Sequence, residues 1–312
     1  MPQPTSLGDY ADFYRQSIAP DTREAFWLEQ ARAIDWHQAP QQACDYHNPP
    51  FARWFADGQL NLCHNAVDRH LAQRADQPAI IAVSTETNTE RVYTFAQLHE
   101  EVQRMAAVLQ SFGVGKGDRV QIYMPMIAEA AFAMLACVRL GAIHSVVFGG
   151  FASVSLASRI DDAQPKVVIS ADAGSRGGKA IAYKPLLDEA LQLAKHKPAA
   201  VLLVDRGLAP MPLQAGRDHL WSTLRTQPQF SEAKVPCTWL NSSDPSYILY
   251  TSGTTGKPKG VQRDTGGYAV ALASSMQHIF AGKAGQTFFT TSDIGWVVGH
   301  SYIIYGPLIA GM

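Results

Sequence analysis

Charge of one sign is what this sequence most lacks. Its 312 residues hold 26 basic against 27 acidic side chains, a net charge of −1. The basic ones are dispersed, so no electrostatic footprint for nucleic acid or an anionic membrane is visible, and partners are to be sought in pockets. Long apolar runs are missing as well. The most apolar stretch, 130–150, is broken by Arg139 and His144, which excludes a membrane span of ordinary length. The start "MPQPTSLGDYADFYRQS" lacks the charged-then-apolar pattern of a signal segment. Cysteine is scarce: Cys44, Cys63, Cys137 and Cys237 are far apart and form no CxxC. That argues against a zinc site and for buried thiols in a reducing compartment, so the expected location is cytoplasmic. Internal repeats and low-complexity segments are absent.

What is present is a core-forming composition, 46% hydrophobic, in a chain whose length suggests about two domains. From Tyr10 to about Pro50 the sequence is rich in aromatic, acidic and proline residues. One helix signal stands out there, with Asp21 as cap, Glu24 at the capping-box position, then Phe26, Trp27 and Ala31. It reads as an extension packed onto a larger body. Thr94 then caps a stretch in which Phe95, Leu98, Val102, Met105, Leu109 and Phe112 recur at helical spacing, closed by Gly113. After it, "RVQIYM", "IHSVVF", "KVVIS", "AVLLVD", "SYILYT" and "TFFTTS" read as strands. "IAEAAFAMLACVRLG", "SVSLASRIDDA", 185–195 and 267–280 read as helices, and 205–238 as a long excursion. Strands apolar on both faces and separated by helices predict an α/β fold with a mostly parallel sheet covered on both sides.

"ILYTSGTTGKPKG" then calls for explanation. It follows a strand and precedes a helical segment, the place where open α/β sheets bind ligands. Gly253 and Gly256 let backbone N–H groups turn toward an anion, while Ser252, Thr254 and Thr255 add hydroxyl donors and Lys257 adds a charge. These are the parts of a phosphate clamp. The spacing is wrong for a Walker A loop, because only two residues separate the glycines and Pro258 follows the lysine.

The string "YTSGTTGKPKG" resembles the signature loop of the adenylate-forming enzymes, the acyl-CoA synthetases, luciferases and peptide-synthetase adenylation domains. "WFADGQLNLCHNAVDRHL", "YMPMIAEAAFAMLACVRLGAIHSVVFGGF", "SADAGSRGGKAIAYKPLLDEA" and "SDIGWVVGHSYIIYGPL" resemble its short-chain branch, the acetyl- and propionyl-CoA synthetases. "GVQRDTGGYAVALA" is similar to the propionyl members, since acetyl members usually carry a histidine-containing segment before the same "GGY". The resemblance implies an N-terminal extension of acetyl-CoA synthetase type over 1–60 and an AMP-binding domain over 61–312. It implies an acid–thiol ligase using ATP, Mg²⁺, coenzyme A and propionate, with acetate as the alternative acid. Thr251, Ser252, Gly253, Thr254, Thr255, Gly256 and Lys257 would hold the β- and γ-phosphates, with Lys257 assisting catalysis and Lys259 supporting the loop. Phe148, Gly149 and Gly150 would meet the adenine of coenzyme A. Arg176, Gly177, Gly178 and Lys179 would meet its 3′-phosphate, although acetyl members commonly have arginine at the Lys179 position. Trp296, Val297 and Val298 would form the acyl pocket, and His64, His70 and His144 would be structural. No protein metal ligand is assigned.

The resemblance also implies an incomplete chain. Family members run roughly twice as long, and their second half holds the segments that stack on adenine, bind ribose and Mg²⁺ and supply the adenylation lysine. The expectation is therefore the first part of a ligase, inactive alone; a non-catalytic nucleotide- or coenzyme A-binding fragment is the reading from a different class. Oligomeric state is not legible.

Overall fold

Alternate residues of a strand face opposite layers, and the core of this protein divides along that alternation. In the computed structural model, which describes residues 7–251 and 258–312, helices α1 (Leu7–Ile18), α2 (Arg23–Ala31), α3 (Leu62–Ala66) and α4 (Phe95–Ser111) lead into the alternating part. There β1 (Arg119–Tyr123), α5 (Ala128–Leu140), β2 (Ile143–Val146), α6 (Ser153–Ala163) and β3 (Val167–Ala171) follow one another. A hairpin of β4 (Ala173–Arg176) and β5 (Lys179–Ala182) comes next, then α7 (Tyr183–Leu193), β6 (Ala200–Val204), β7 (Asp218–Leu220), β8 (Pro245–Thr251), β9 (Lys259–Asp264) and α8 (Gly266–His278). The main sheet runs in the order β7-β6-β3-β1-β2-β8-β9. Its neighbours are parallel except for the last pair, β8 and β9.

Val167, Ile169 and Leu202 point into one apolar layer with Val102 and Leu109 of α4 and Phe132 and Leu135 of α5. Val168, Val201 and Leu203 point into the other, with Leu156 and Ile160 of α6 and Leu187 and Leu191 of α7. A sheet covered on both faces explains why its strands read as continuous apolar runs. Helix α5 is buried along nearly its whole length, so it too is apolar all round. Helix α4 starts with a reciprocal capping box between Thr94 and Gln97. The first fifty residues pack by aromatic contacts, Phe13 against Phe26 and His278, and Trp27 against Trp54.

Four local expectations are corrected. The residue preceding α2 is Thr22, without a side-chain capping bond. Glu24 instead accepts the Ala43 N–H at 2.6 Å, tying the helix to the returning chain. "TFFTTS" is irregular, with Phe289 85% exposed; the sheet ends at β9, and no strand stands beside these residues among the described ones. The excursion at 205–238 contains β7, an edge strand of the main sheet. Finally, the glycine-rich loop joins two antiparallel strands, β8 and β9, and the helix starts only at Gly266. No described helix is long and apolar enough to cross a membrane.

Candidate functional site

The carboxyl ends of parallel strands collect loops that bind ligands, and here the ends of β1, β2 and β3 open a cleft of about 260 Å³. Its walls include Val83, Met124, Phe148, Ser175, Tyr183 and Asp293. Small-molecule pockets usually measure about 300–1,000 Å³, so this cleft has room for one ring or arm of a large ligand rather than the whole.

The glycines of "VFGGF" have a packing reason. A Cβ on Gly149 would sit 1.9 Å from the Tyr183 hydroxyl oxygen, and one on Gly174 of β4 would sit 2.4 Å from the same atom. One hydroxyl is thus wedged between the turn after β2 and the hairpin after β3. Tyr183 stacks on Tyr123 at 4.8 Å, and Tyr123 donates to the Phe151 carbonyl at 3.2 Å. Burial pushes the Tyr183 hydroxyl up to about 12 and raises that of Tyr123 as well, so both stay protonated. The ring of Phe148 lies between Phe151, edge-on at 5.8 Å, and Trp296, tilted at 6.0 Å.

"SRGGK" forms the hairpin tip. Gly177 and Gly178 have φ of +58° and +76°, the left-handed pair that two-residue hairpin turns demand. Arg176 and Lys179 stand opposite one another in the ladder, and Lys179 is exposed; the side chain of Arg176 lies outside the described residues.

Trp296, Val297 and Val298 are 50, 48 and 46% exposed and therefore face solvent beside the cleft. The turn before them is set by Asp293, whose carboxylate accepts the Gly295 N–H at 2.7 Å; burial pushes that carboxyl upward. After them His300–Tyr305 forms a π-helical turn, a feature frequent at functional sites. His300 is wholly buried between His144 at 5.2 Å and Tyr247 at 4.7 Å. Burial drives it down to about 4, against the backbone groups of Trp296 and Ile294, which favour its protonated form.

The phosphate-loop expectation falls on Ser252, Gly253, Thr254, Thr255, Gly256 and Lys257, which lie outside the described residues. What is described is the stem. Thr251 ends β8, exposed and paired with Lys259 of β9, and Tyr250 donates to Asp162 Oδ2 at 2.6 Å. Because β8 runs parallel beside β2, the loop leaves the same end of the sheet as Phe148. With a strand rather than a helix following it, an anion there would depend on the loop's own N–H groups and side chains.

The cleft thus brings the Phe148–Gly149–Gly150 turn together with Ser175 and Ile181 of the hairpin, and Trp296 stands next to it through Phe148. Tyr183 and Asp293 were not foreseen; the signal for Tyr183 was two glycines, 149 and 174, each too close to one bulky neighbour, which sequence alone does not display. The expected structural histidines do have partners: His70 Nε2 is 2.8 Å from the Leu308 carbonyl and His144 Nε2 is 2.7 Å from the Tyr305 hydroxyl, while His64 lies 3.4 Å from Asp35.

Residues 67–312 match the AMP-binding enzyme family, and residues 10–66 match the acetyl-coenzyme A synthetase N-terminus. The chain belongs to the AMP-binding enzyme family. Among curated relatives, propionate–CoA ligase of Escherichia coli (strain K12) is 62% identical over 303 residues, covering 97% of this chain and 48% of the relative. Acyl-CoA synthetase short-chain family member 3, mitochondrial, of Homo sapiens is 47% identical over 308 residues, covering 98% of this chain and 44% of the relative. The chain therefore spans about half the length of the curated relatives it matches. In fold it is similar to acetoacetyl-CoA synthetase from Streptomyces lividans, with a TM-score of 0.87 at 26% identity, over 99% of this chain and 46% of that one. The mostly parallel α/β sheet is thus the front part of this family's fold.

Proposed function

We propose that this chain is the first part of a propionate–CoA ligase. The observation carrying the reading is the convergence, at one end of the sheet, of the Phe148–Gly149–Gly150 turn, the Gly177–Gly178 hairpin and the Trp296 turn. The name of its 62%-identical relatives supports propionate as the acid. In the reaction the propionate carboxylate attacks the α-phosphorus of ATP and pyrophosphate leaves. The thiolate of coenzyme A then attacks the acyl carbon and AMP leaves with its phosphate. Neither half needs a protein nucleophile; both need charge held in place.

Thr251, Ser252, Gly253, Thr254, Thr255, Gly256 and Lys257 would hold the departing pyrophosphate, and Mg²⁺ would supply further neutralisation of those phosphates. The flat face of Phe148 beside the Gly149–Gly150 turn suits a purine, and the cleft has room for one such ring. Lys179 and Arg176, on either side of the hairpin turn, suit a phosphate monoester. Trp296, Val297 and Val298 would limit the acyl chain. The proposed division is an extension over 1–60 and an AMP-binding domain over 61–312.

The test uses the chain extended to the length of its relatives. Propionate is expected to exceed acetate in kcat/KM by about ten- to a few hundred-fold, since one methylene in an apolar pocket contributes about 1–3 kcal/mol. Equal activity on acetate would overturn the propionate assignment. Lys257→Ala is expected to slow propionate-dependent ATP–pyrophosphate exchange tens to hundreds of fold, the cost of a charge-assisted contact of about 1.5–3 kcal/mol, while sparing thioester formation from acyl-adenylate. The reading from a different class is a coenzyme A-binding fragment without turnover, for which the 312-residue chain would bind coenzyme A while the chain extended to the length of its relatives released no AMP.

A further inference from the structure

Two cysteines far apart in sequence meet at the amino end of the sheet, away from the cleft. Cys63 lies on α3, wholly buried, and Cys237 lies half-buried on the irregular stretch before Leu240. Both sulfurs approach a single oxygen, Asp68 Oδ2, at 3.9 Å from Cys63 and 3.8 Å from Cys237. The three atoms all lie within 4.8 Å of one another. We propose that Cys63 and Cys237 are an oxidisable dithiol that closes to a disulfide under hydrogen peroxide.

The alternative occupant of such a cluster is a thiophilic cation. Bonds of about 2.3 Å to sulfur and about 2.0–2.2 Å to carboxylate oxygen make tetrahedral ligand edges of roughly 3.5 Å, so the sulfur–oxygen distances alone do not exclude zinc. Charge decides. Arg139 Nη1 lies 2.8 Å from Asp68 Oδ2 and 3.6 Å from Cys63 Sγ, and Nη2 lies 2.9 Å from Oδ1. The cluster already contains its cation, one that does not shed its proton, and a divalent ion would be set against it. His99, 3.5 Å from Asp68 Oδ1, is engaged by Gln103 at 3.0 Å.

Burial, with the neighbouring Cys237 and Asp68, holds the Cys63 thiol well above its usual range in spite of Arg139, and the two thiols divide the work by access. Cys237 is reachable by a small oxidant; Cys63 is not. The chain holds Cys237 in place on both sides, since Arg139 Nε donates to the Val235 carbonyl at 2.6 Å and the Thr238 N–H donates to the Arg139 carbonyl at 2.8 Å. Closing from at most 4.8 Å to a bond of about 2.05 Å asks for side-chain rotation and a small shift of that stretch.

The chemistry balances in two displacements. The Cys237 thiol loses its proton, and its sulfur attacks one peroxide oxygen as the O–O bond breaks; the departing hydroxide takes the proton and leaves as water. Cys63 then attacks the sulfenic sulfur of Cys237, and the displaced hydroxide leaves with the Cys63 proton as a second water. Two thiols give up two electrons and two protons, and one peroxide becomes two waters.

The test treats the folded 312-residue chain with hydrogen peroxide, blocks remaining thiols in denaturant and maps the peptides by mass. The expected product joins the Cys63 and Cys237 peptides, two hydrogens lighter than their sum, with Cys44 and Cys137 alkylated and the link reversed by dithiothreitol. In Cys63→Ser, Cys237 is expected to run on to sulfinic acid for want of a partner; should that variant fail to fold, Cys237→Ser at the accessible position is expected to leave Cys63 alkylatable after peroxide. Cys237 oxidised in the parent chain while Cys63 stays free would overturn the proposal. So would stoichiometric zinc that resists dialysis and protects both thiols.

Discussion

The two ends of the parallel sheet are built on opposite terms. At the amino end, Arg139 and Asp68 form a bidentate pair inside the protein, and buried Asn61 bonds the carbonyls of Val138 and Thr238, each at 2.8 Å, so polar groups there are spent on one another. At the carboxyl end, Trp296 is half exposed against Phe148, and the cleft that Phe148 lines is open. Satisfied polar groups hold a fold, whereas unsatisfied or uncovered ones are where a ligand has something to gain.

The largest effect is expected where the closed end is broken. Asp68→Ala leaves the Arg139 charge buried and alone, and a loss of about 3–5 kcal/mol in denaturant unfolding is expected. Burial raises the Asp68 carboxyl, but hydrogen bonds and charge from His99 and Arg139 outweigh it and hold it well below the usual range. A carboxyl depressed on folding contributes stability that is whole above its unfolded pKa of about 4 and is lost as pH falls further. Asp68→Ala should therefore flatten the stability curve below about pH 4.

Buried His300, packed against His144 of β2 and Tyr247 of β8, gives a different acid response. Its folded pKa of about 4 lies below the unfolded value near 6.5, so the unfolded chain takes up the proton first. Stability is expected to fall as pH drops from about 6.5 to 4, by roughly 3 kcal/mol in all. His300→Phe should remove that share of the slope, leaving the shares of His70, His144 and His278, which burial also holds down, and the one below pH 4.

Much of this was legible in the sequence, and the misses have physical causes. Between Arg119 and Val204 the strands of the main sheet and the helices follow from apolar runs, because a sheet covered on both faces imposes them, whereas the β4–β5 hairpin was not read. "TFFTTS" has the composition of a strand, but pairing is decided by neighbours that composition does not show. Within the candidate site, the glycines of "VFGGF" and "SRGGK" stood out in the sequence, and the second pair is demanded by its left-handed backbone. Tyr183 was unreadable because its wedge between Gly149 and Gly174 exists only after folding, and the meeting of Cys63 with Cys237 is a long-range contact of the same kind.

Smaller effects sharpen the contrast. Gly149→Ala would push a Cβ to 1.9 Å from the Tyr183 oxygen, and overpacking of this sort costs about 1–3 kcal/mol. The cost is expected to shrink in Tyr183→Ala, with a coupling of about 0.5–3 kcal/mol in a double-mutant cycle. Trp296→Ala, at a half-exposed position, is expected to change stability by no more than about 1 kcal/mol. A loss as large as that of Asp68→Ala would show that the open end is as structural as the closed one.

Titration of the ¹⁵N-labelled 312-residue chain with coenzyme A, and with coenzyme A lacking its 3′-phosphate, puts the division of the sheet to its most direct test. Amide shifts are expected at Phe148, Gly149, Gly150 and across Gly177–Gly178 to Lys179, with the hairpin shifts lost for the dephosphorylated ligand and Cys63 and Asp68 unmoved by either. Shifts centred on the amino end, or none at the cleft at ligand concentrations that saturate a full-length relative, would contradict the assignment of the open end as the coenzyme A site.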